Sequence, residues 1–168
     1  MQALRRFLKG LAFGLVGTIA FVAVIQLVPY GRAHSNPPVV SEPAWDSPRT
    51  RELAQRACFD CHSNETKWPL YARIAPGSWL MARDIHNGRN HLNFSEWADV
   101  DDDEKKTDLE NCWEQVESGE MPKWFYVYPL HLGARLSDAD KALLKGFFLK
   151  HKAEGAKPEK AEKPDAKE

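Results

Sequence analysis

The pentapeptide Cys58-Phe59-Asp60-Cys61-His62 is the feature of this sequence that most constrains the fold. Its two thiols stand about one helical turn apart, and an imidazole directly follows the second thiol. In this spacing the thiols add to the two vinyl groups on one edge of a porphyrin, and the imidazole turns under the ring to bind iron. The motif therefore predicts one covalently attached haem c, with Cys58 and Cys61 as thioether links and His62 as the proximal iron ligand.

Two other uses of a C-x-x-C pair agree less well with the rest of the chain. A zinc site needs further ligands, but the sequence has no second C-x-x-C and no H-x-x-x-H pair. A thioredoxin-like redox motif belongs in a βαβ pattern, whereas the helical periodicity and the absence of a strand pattern predict an all-α domain. The third cysteine, Cys112, is interpreted as a small buried side chain on a helix.

An apolar run near the N-terminus is long enough to cross a membrane. Residues 11–29 carry no charge, and about 20 residues span a hydrocarbon core of ~30 Å. Residues 1–10 are basic, so the positive-inside rule predicts a cytoplasmic N-terminal segment, a single transmembrane helix in the bacterial inner membrane and a domain that faces the periplasm. The alternative is a cleaved signal peptide, with a small-x-small site at Gly31-Arg32-Ala33.

Prolines and caps divide the remaining chain. Residues 30–46 are interpreted as an extended, proline-rich tether that holds the domain off the bilayer, because proline blocks helices and central strands. Residues 47–150 form the predicted small cytochrome c-like helical domain around one haem. Its helices are expected to follow the cap at Ser47, to run from Pro76 to about Gly88 and from Asp101 to Gly119, and to begin at a capping box at Ser137.

The distribution of charge argues against nucleic acid as a partner. The chain has a net charge of −1, but basic residues dominate the first 34 positions, so the domain itself is acidic. Binding of phosphate backbones needs a basic face. Residues 151–168 alternate lysines with acids and contain no apolar residue larger than alanine, which predicts a disordered charged tail.

Aromatic side chains exceed what a core of this size usually needs, and packing against a porphyrin would explain the excess; for each of them the alternative is an ordinary core or surface position. A haem offers two broad apolar faces, and their burial contributes ~25 cal/mol per Å² to stability. The aromatic residues concerned are Trp68, Tyr71, Trp79, Trp97, Trp113, Trp124, Phe125, Tyr126 and Tyr128.

Several short segments around the motif carry a distinctive pattern. They are Cys58 to Pro69 (C-F-D-C-H-S-N-E-T-K-W-P), Ile74-Ala75-Pro76 with Ser78-Trp79, Gly88-Arg89 with Leu92-Asn93-Phe94-Ser95 and Trp97, and Gly119-Glu120-Met121-Pro122. With these segments the chain resembles the bacterial haem-binding domain family of small, often membrane-anchored c-type cytochromes. The resemblance covers most of residues 28–148 and implies haem binding. Lys123 stands where a second proline is expected, which leaves the loop at Met121 less rigid.

Met121 is the first candidate for the sixth iron ligand. In small single-haem cytochromes of the mitochondrial type, which this helix layout resembles, the distal methionine lies on a loop before the C-terminal helix and is often followed by proline. Met121-Pro122 meets both conditions. His91 is the alternative sixth ligand, while Met81 lies inside a predicted helix and is interpreted as a core residue.

Electron transfer is the predicted function. Beside the haem motif, the sequence offers no second set of catalytic residues. We therefore interpret the chain as an electron carrier rather than as an enzyme. It would be a periplasmic monohaem protein with a His/Met-ligated iron and an unidentified redox protein as its partner. The alternative is a haem peroxidase or a redox or gas sensor with a displaceable sixth ligand, for which Arg83, His86 or His91 would be distal groups. A haem-delivery or structural module is a third interpretation.

Overall fold

The computed structural model describes residues 2–99 and 101–154. In this part of the chain every regular element is helical, as predicted, apart from one isolated parallel bridge between Ser41 and Glu96. Short 3₁₀ turns cover Leu70–Arg73, Trp97–Asp99 and Leu132–Ala134. The α-helices are α1 (Gln2–Ile25), α2 (Pro48–Ala57), α3 (Phe59–His62), α4 (Gly77–His91), α5 (Asp102–Ser118), α6 (Trp124–Val127) and α7 (Asp138–Glu154).

The first helix is the apolar element that the sequence predicts near the N-terminus. α1 begins at Gln2, earlier than the predicted start at residue 11, because the basic residues before the apolar run are themselves good helix formers. None of its residues is buried, and its length and composition suffice to cross a membrane. The helix ends at Ile25, and the chain then turns towards the domain.

Two helices of the domain begin at the predicted caps. Ser47 Oγ accepts a hydrogen bond from the backbone N–H of Thr50 at 3.1 Å, with Pro48 at the first position of α2. Ser137 and Asp140 form a reciprocal capping box at the start of α7, in which each backbone N–H donates to the other side chain. These local signals fix where the helices start.

The predicted ends of two helices differ from the structure. α4 continues through Gly88 to His91, so the prediction that this glycine stops the helix is wrong. α7 continues past the predicted domain boundary at 150 to Glu154, and the rest of the predicted tail, residues 155–168, lies outside the described residues. By contrast, α5 ends as predicted at Gly119, whose φ of 82° suits a residue without Cβ.

The proline-rich segment 30–46 lies along the surface of the domain. The side chain of Asn36 donates to the carbonyl of Thr66 at 2.9 Å, and the backbone N–H of Ser41 donates to the carbonyl of Ser95 at 3.1 Å. Trp45 packs against the main hydrophobic cluster. The segment is therefore hydrogen-bonded to the folded domain and is no free spacer, a difference that arises from contacts with residues far away in the sequence.

Two hydrophobic clusters form the core, and the C-x-x-C-H motif lies between them. Cys58 packs against the larger cluster, and Cys61 packs against the smaller one. A group attached to both cysteines therefore contacts both halves of the core. The larger cluster consists of Leu53, Ala54, Phe59, Leu92, Phe94, Leu109, Val116, Leu144, Phe147 and Phe148, and the smaller of Ala72, Met81 and Ile85.

Candidate functional site

The motif itself forms a single helical turn that continues from α2. The backbone N–H of Cys58 donates to the carbonyl of Ala54 at 2.8 Å, which closes the end of α2. The N–H groups of Cys61 and His62 then donate to the carbonyl of Cys58 at 3.2 and 2.9 Å. The two cysteines are free and partly buried. This turn brings both thiols and the imidazole to one region of the domain.

The ring of His62 is oriented by a backbone carbonyl. Its Nδ1 lies 3.2 Å from the carbonyl oxygen of Leu92, and because that oxygen accepts, Nδ1 carries the proton and donates. Burial lowers the pKa of His62, which favours the neutral imidazole. The lone pair of Nε2 is therefore available for a metal ion, and the hydrogen bond at Nδ1 is the usual second interaction of a metal-binding histidine.

Two cavities of about 460 and 420 Å³ adjoin the motif. Their sizes lie in the range of ~300–1,000 Å³ that is typical of cofactor sites. The larger cavity extends towards Met81, and the smaller one extends towards Phe94 and Phe148. Thiols, an oriented imidazole and apolar walls together fit a covalently held porphyrin. The residues that line both cavities are Ala57, Cys58, His62, His91, Met121 and Pro122.

The protonation of the thiols argues against a thioredoxin-like pair, and the side chains around the motif argue against a zinc site. Burial raises the pKa of Cys58 and of Cys61 to about 12, so both are protonated at neutral pH. A thioredoxin-like pair has a lowered thiol pKa instead. Within residues 2–99 and 101–154, no group of three or more His, Cys, Asp or Glu side chains is arranged to hold a metal ion, as a structural zinc site would need.

Asn64 anchors the chain that follows the motif. Its side-chain amide donates to the carbonyl of Pro38 at 2.9 Å, its Oδ1 accepts from the side chain of Asn93 at 3.0 Å, and its backbone N–H donates to Ser95 Oγ at 2.9 Å. Asn64, Asn93 and Ser95 are all buried. The sequence singled out these residues only through the family resemblance, and the structure gives them a role in positioning His62 against residues 92–95.

We expect Asn64→Ala to destabilise the domain by ~1–3 kcal/mol, since the buried side chain of Asn93 and the carbonyl of Pro38 lose their partner. Chemical unfolding followed through the absorption of the bound cofactor measures the change. Asn90→Ala is the matched control, because Asn90 is exposed. Among the contacts described, its side chain bonds only to the ring of His86. Equal stability of the two variants would contradict this role.

Arg89 provides a second link between α4 and the chain after the motif. Its Nε donates to the carbonyl of Ser63 at 2.8 Å, and its Nη2 donates to Thr66 Oγ1 at 3.1 Å. Since Ser63 follows His62 directly, the guanidinium fixes the residues behind the imidazole. Sequence periodicity gives no sign of this contact, because it joins positions that are far apart in the chain.

Gly88 allows α4 to pack directly on the motif. A Cβ atom at this position would overlap with the carbonyl oxygen of Cys61 and would lie 3.1 Å from its Cβ. The glycine is therefore required for close packing between α3 and α4 and not for ending the helix.

We predict that Gly88→Ala lowers the yield of cofactor-loaded protein and destabilises the domain by ~1–3 kcal/mol, because overpacking displaces Cys61. The matched control is Gly146→Ala in α7, where an added Cβ meets nothing within 4 Å and a small stabilisation of up to ~1 kcal/mol is expected. Bound haem per polypeptide and the unfolding midpoint are the two readouts. A Gly88 variant that matches the Gly146 variant in both would exclude the packing role.

Asp60, inside the motif, receives a hydrogen bond from the loop on the far side of the larger cavity. Tyr126 Oη donates to Asp60 Oδ2 at 2.5 Å, and the ring of Tyr126 stacks on His131 at 4.2 Å between centroids. Tyr71 Oη lies 2.9 Å from His131 Nε2. Burial raises the pKa of Tyr71 to about 12 and also raises that of Tyr126, so both remain neutral phenols. The sequence predicted no role for Asp60.

The loop that carries Met121 is fixed to the end of α5. The backbone N–H of Met121 donates to the carbonyl of Gln115 at 3.0 Å, just after the left-handed turn at Gly119. The Met121 side chain is partly buried and packs against the larger cluster. Lys123, in place of the expected proline, donates to Asp84 Oδ1 at 3.2 Å and so ties the loop to α4.

The other candidate residues occupy different environments. His91 is exposed at the end of α4, although it lines both cavities. His86 is exposed and contacts Asn90. Met81 is buried in the smaller cluster, as expected for a core residue. Cys112 is partly buried on α5 and lines the smaller cavity, so the third cysteine lies nearer to the site than the sequence suggested.

Few of the aromatic residues singled out by the sequence line the two cavities. Tyr71, Phe125 and Tyr126 line the larger cavity, and none of the nine lines the smaller one. Trp68 instead stacks on His34 at 4.4 Å, and the side chain of Trp124 is exposed. Three of the nine aromatics therefore line the candidate site, and composition alone does not tell which faces the others occupy.

Comparison with known proteins gives one match. Residues 20–150 match the family model described as haem-binding domain. No curated protein and no solved structure matches the chain.

Proposed function

This chain belongs to the haem-binding domain family, and on that premise we propose that it is a c-type cytochrome that carries electrons. In this proposal one haem c is attached covalently to Cys58 and Cys61, with His62 as the proximal ligand and Met121 as the sixth ligand. The observation that carries the proposal is that His62 and Met121 line the same two cavities as Cys58, and that Cys61 lines the larger of them. A doubly ligated iron leaves no open position for a substrate, as suits an electron carrier.

The surroundings of His62 support Met121 over His91 as the sixth ligand. His91 immediately precedes Leu92, whose carbonyl holds Nδ1 of His62, so His91 belongs to the segment that already supports the proximal imidazole. Met121 comes from a separate loop, fixed by α5 and by the ion pair of Lys123.

When bound, the haem iron supplies reversible one-electron chemistry between its ferric and ferrous states. The chain's own contribution is to hold the ligands and to control their environment. The carbonyl of Leu92 orients His62 and raises its basicity. A thioether ligand from Met121 favours the ferrous state and raises the potential. The apolar residues Phe94 and Phe148 form part of the wall of the smaller cavity.

We further propose that α1 anchors the protein in the bacterial inner membrane, with the domain in the periplasm. The length and composition of α1 support membrane insertion, and its basic N-terminal turns support a cytoplasmic N-terminus. Attachment of haem to C-x-x-C-H motifs occurs outside the cytoplasm in bacteria, which agrees with this orientation. The redox partner would then be a protein that reaches the periplasmic surface.

Potentiometric titration of the purified full-length protein, followed by absorption, tests the proposed function. We expect one reversible one-electron transition, no peroxide turnover and slow binding of carbon monoxide by the ferrous protein. Rapid carbon monoxide binding or peroxidase turnover by the wild-type protein would instead indicate an open sixth position and exclude the carrier function. Neither result depends on knowing the physiological partner.

A further inference from the structure

The end of α1 is joined directly to the domain by a reciprocal pair of hydrogen bonds. Gln26 Nε2 donates to the carbonyl of Ala75 at 3.0 Å, and the backbone N–H of Ala75 donates to Gln26 Oε1 at 2.9 Å. Close by, the backbone of Gly31 lies against the carbonyl of Ser78, where a Cβ would not fit. His34 Nε2 also lies 2.9 Å from the carbonyl of Ala72. These contacts hold one edge of the domain at the end of the apolar helix.

The spacing of charges along α1 gives the depth of this joint. Between Lys9 and Arg32 the chain carries no charged residue. A hydrocarbon core of ~30 Å needs about 20 helical residues at ~1.5 Å each. Counted from Lys9, the helical residues 10–25 span about 24 Å of this thickness, and the uncharged run continues to residue 31, so Gln26 lies at or just inside the outer edge of the hydrocarbon. Ala75, its hydrogen-bonding partner, therefore lies at the level of the lipid headgroups.

The side chains around Ala75 have the chemistry of a membrane interface. Leu70 and Ile74 are 79% and 54% exposed, although both are large and apolar. Arg73 is exposed between them, and Arg32 donates through Nη2 to the backbone and side-chain oxygens of Gln26 at 2.7 and 2.9 Å. We call the group of Arg32, Leu70, Arg73 and Ile74 the turn surface.

We propose that the turn surface is inserted into the headgroup layer of the outer leaflet, so that the domain lies against the bilayer and is not suspended above it. Leu70 and Ile74 reach the acyl boundary, while Arg32 and Arg73 bind lipid phosphates. This inference rests on the proposed anchoring by α1. A lipid surface is favoured over a protein partner, because the hydrogen bonds of Gln26 place this edge at the membrane before any partner is considered.

The arrangement also brings the candidate haem site close to the membrane. Tyr71 lies in the same turn as Leu70 and Arg73, and it lines the larger cavity beside the motif. The cavity is thus separated from the proposed lipid contact by a single 3₁₀ turn. Electron exchange with a partner at the membrane plane would need no large movement of the domain.

Photolabelling of the full-length haem protein tests the inference. The protein is placed in nanodiscs of phosphatidylcholine and phosphatidylglycerol, a fraction of which carries a diazirine near the glycerol. Tryptic peptides are then analysed by mass spectrometry. We expect labels on α1 and on the peptides 68–73 and 74–83, which contain Leu70 and Ile74. The peptide 146–150 is the control, since its Leu149 is 43% exposed on α7, a helix that packs on α2 and α5.

The variant with both Leu70→Asp and Ile74→Asp tests whether the apolar side chains of the turn surface cause its labelling. It should lose most of the labelling on 68–73 and 74–83, while the labels on α1 and the haem spectrum are unchanged. Wild-type labels on α1 alone would overturn the inference and leave the anchoring intact, whereas absence of labels on α1 would overturn the anchoring itself. If the turn surface were unlabelled in nanodiscs but shielded from a water-soluble labelling reagent in native membranes, a protein partner would cover it. That result would also overturn the inference.

Discussion

Replacement of Cys58 or Cys61 by alanine sharply lowers the amount of haem-loaded protein, and replacement of both abolishes covalent attachment. In the proposed attachment each thiol would supply one thioether link, and Cys58 packs against the larger cluster while Cys61 packs against the smaller one. Loss of the haem removes an apolar group that contacts both clusters, worth ~25 cal/mol per Å² of buried apolar area. The apoprotein should therefore also unfold at a lower denaturant concentration. Haem staining on a denaturing gel measures the attachment.

Cys112→Ala is the control for this prediction, and the haem content of this variant should be close to that of the wild type. Cys112 lines the smaller cavity, but it is on α5 and outside the attachment motif. Burial raises the pKa of its thiol, so it is not a reactive thiolate. If all three single variants lost haem equally, Cys112 would have a part in attachment that the motif does not explain.

Replacement of Met121 by alanine is expected to change the iron from six-coordinate to five-coordinate. The ferric wild-type protein should show the weak near-infrared sulfur-to-iron band of methionine ligation, and Met121→Ala should abolish it. The ferrous variant should then bind carbon monoxide rapidly and should have a lower potential, since the ligand that favours the ferrous state is lost. Absorption spectra and a potentiometric titration measure these changes.

His91→Ala is the matched control. His91 also lines both cavities, but it is the last residue of α4 and does not belong to the Met121 loop. It should leave the near-infrared band and the rate of carbon monoxide binding unchanged. The assignment of Met121 is wrong if the wild type lacks the band and the His91 variant becomes five-coordinate. In that case the domain would be a bis-histidine cytochrome, and its potential would be lower.

Local signals in the sequence predicted the helical class and the starts of the helices well. The caps at Ser47 and Ser137 act through neighbours within three residues, so a short stretch of sequence contains all the information. The same holds for the end of α5 at Gly119, where the left-handed conformation favours glycine. The uncharged apolar run in α1 and its length were likewise sufficient to identify this helix.

Long-range contacts explain what the sequence did not predict. Gly88 looks like a helix stop when only its neighbours are considered, but its role depends on the carbonyl of Cys61. The buried bonds of Asn64 join three segments of the chain, and Arg51 pairs with both Glu42 and Glu65. These contacts also draw the proline-rich segment onto the domain. Composition and periodicity contain no information on such pairings.

The mass of the intact full-length protein under denaturing conditions shows whether haem is attached covalently to Cys58 and Cys61. A covalently attached haem c stays with the polypeptide when the fold is lost, so we expect the mass of the chain plus one haem. Digestion should then locate the added mass on the peptide that contains Cys58 and Cys61. A polypeptide of unmodified mass, with the haem released into acidified solvent, would contradict covalent attachment at this motif.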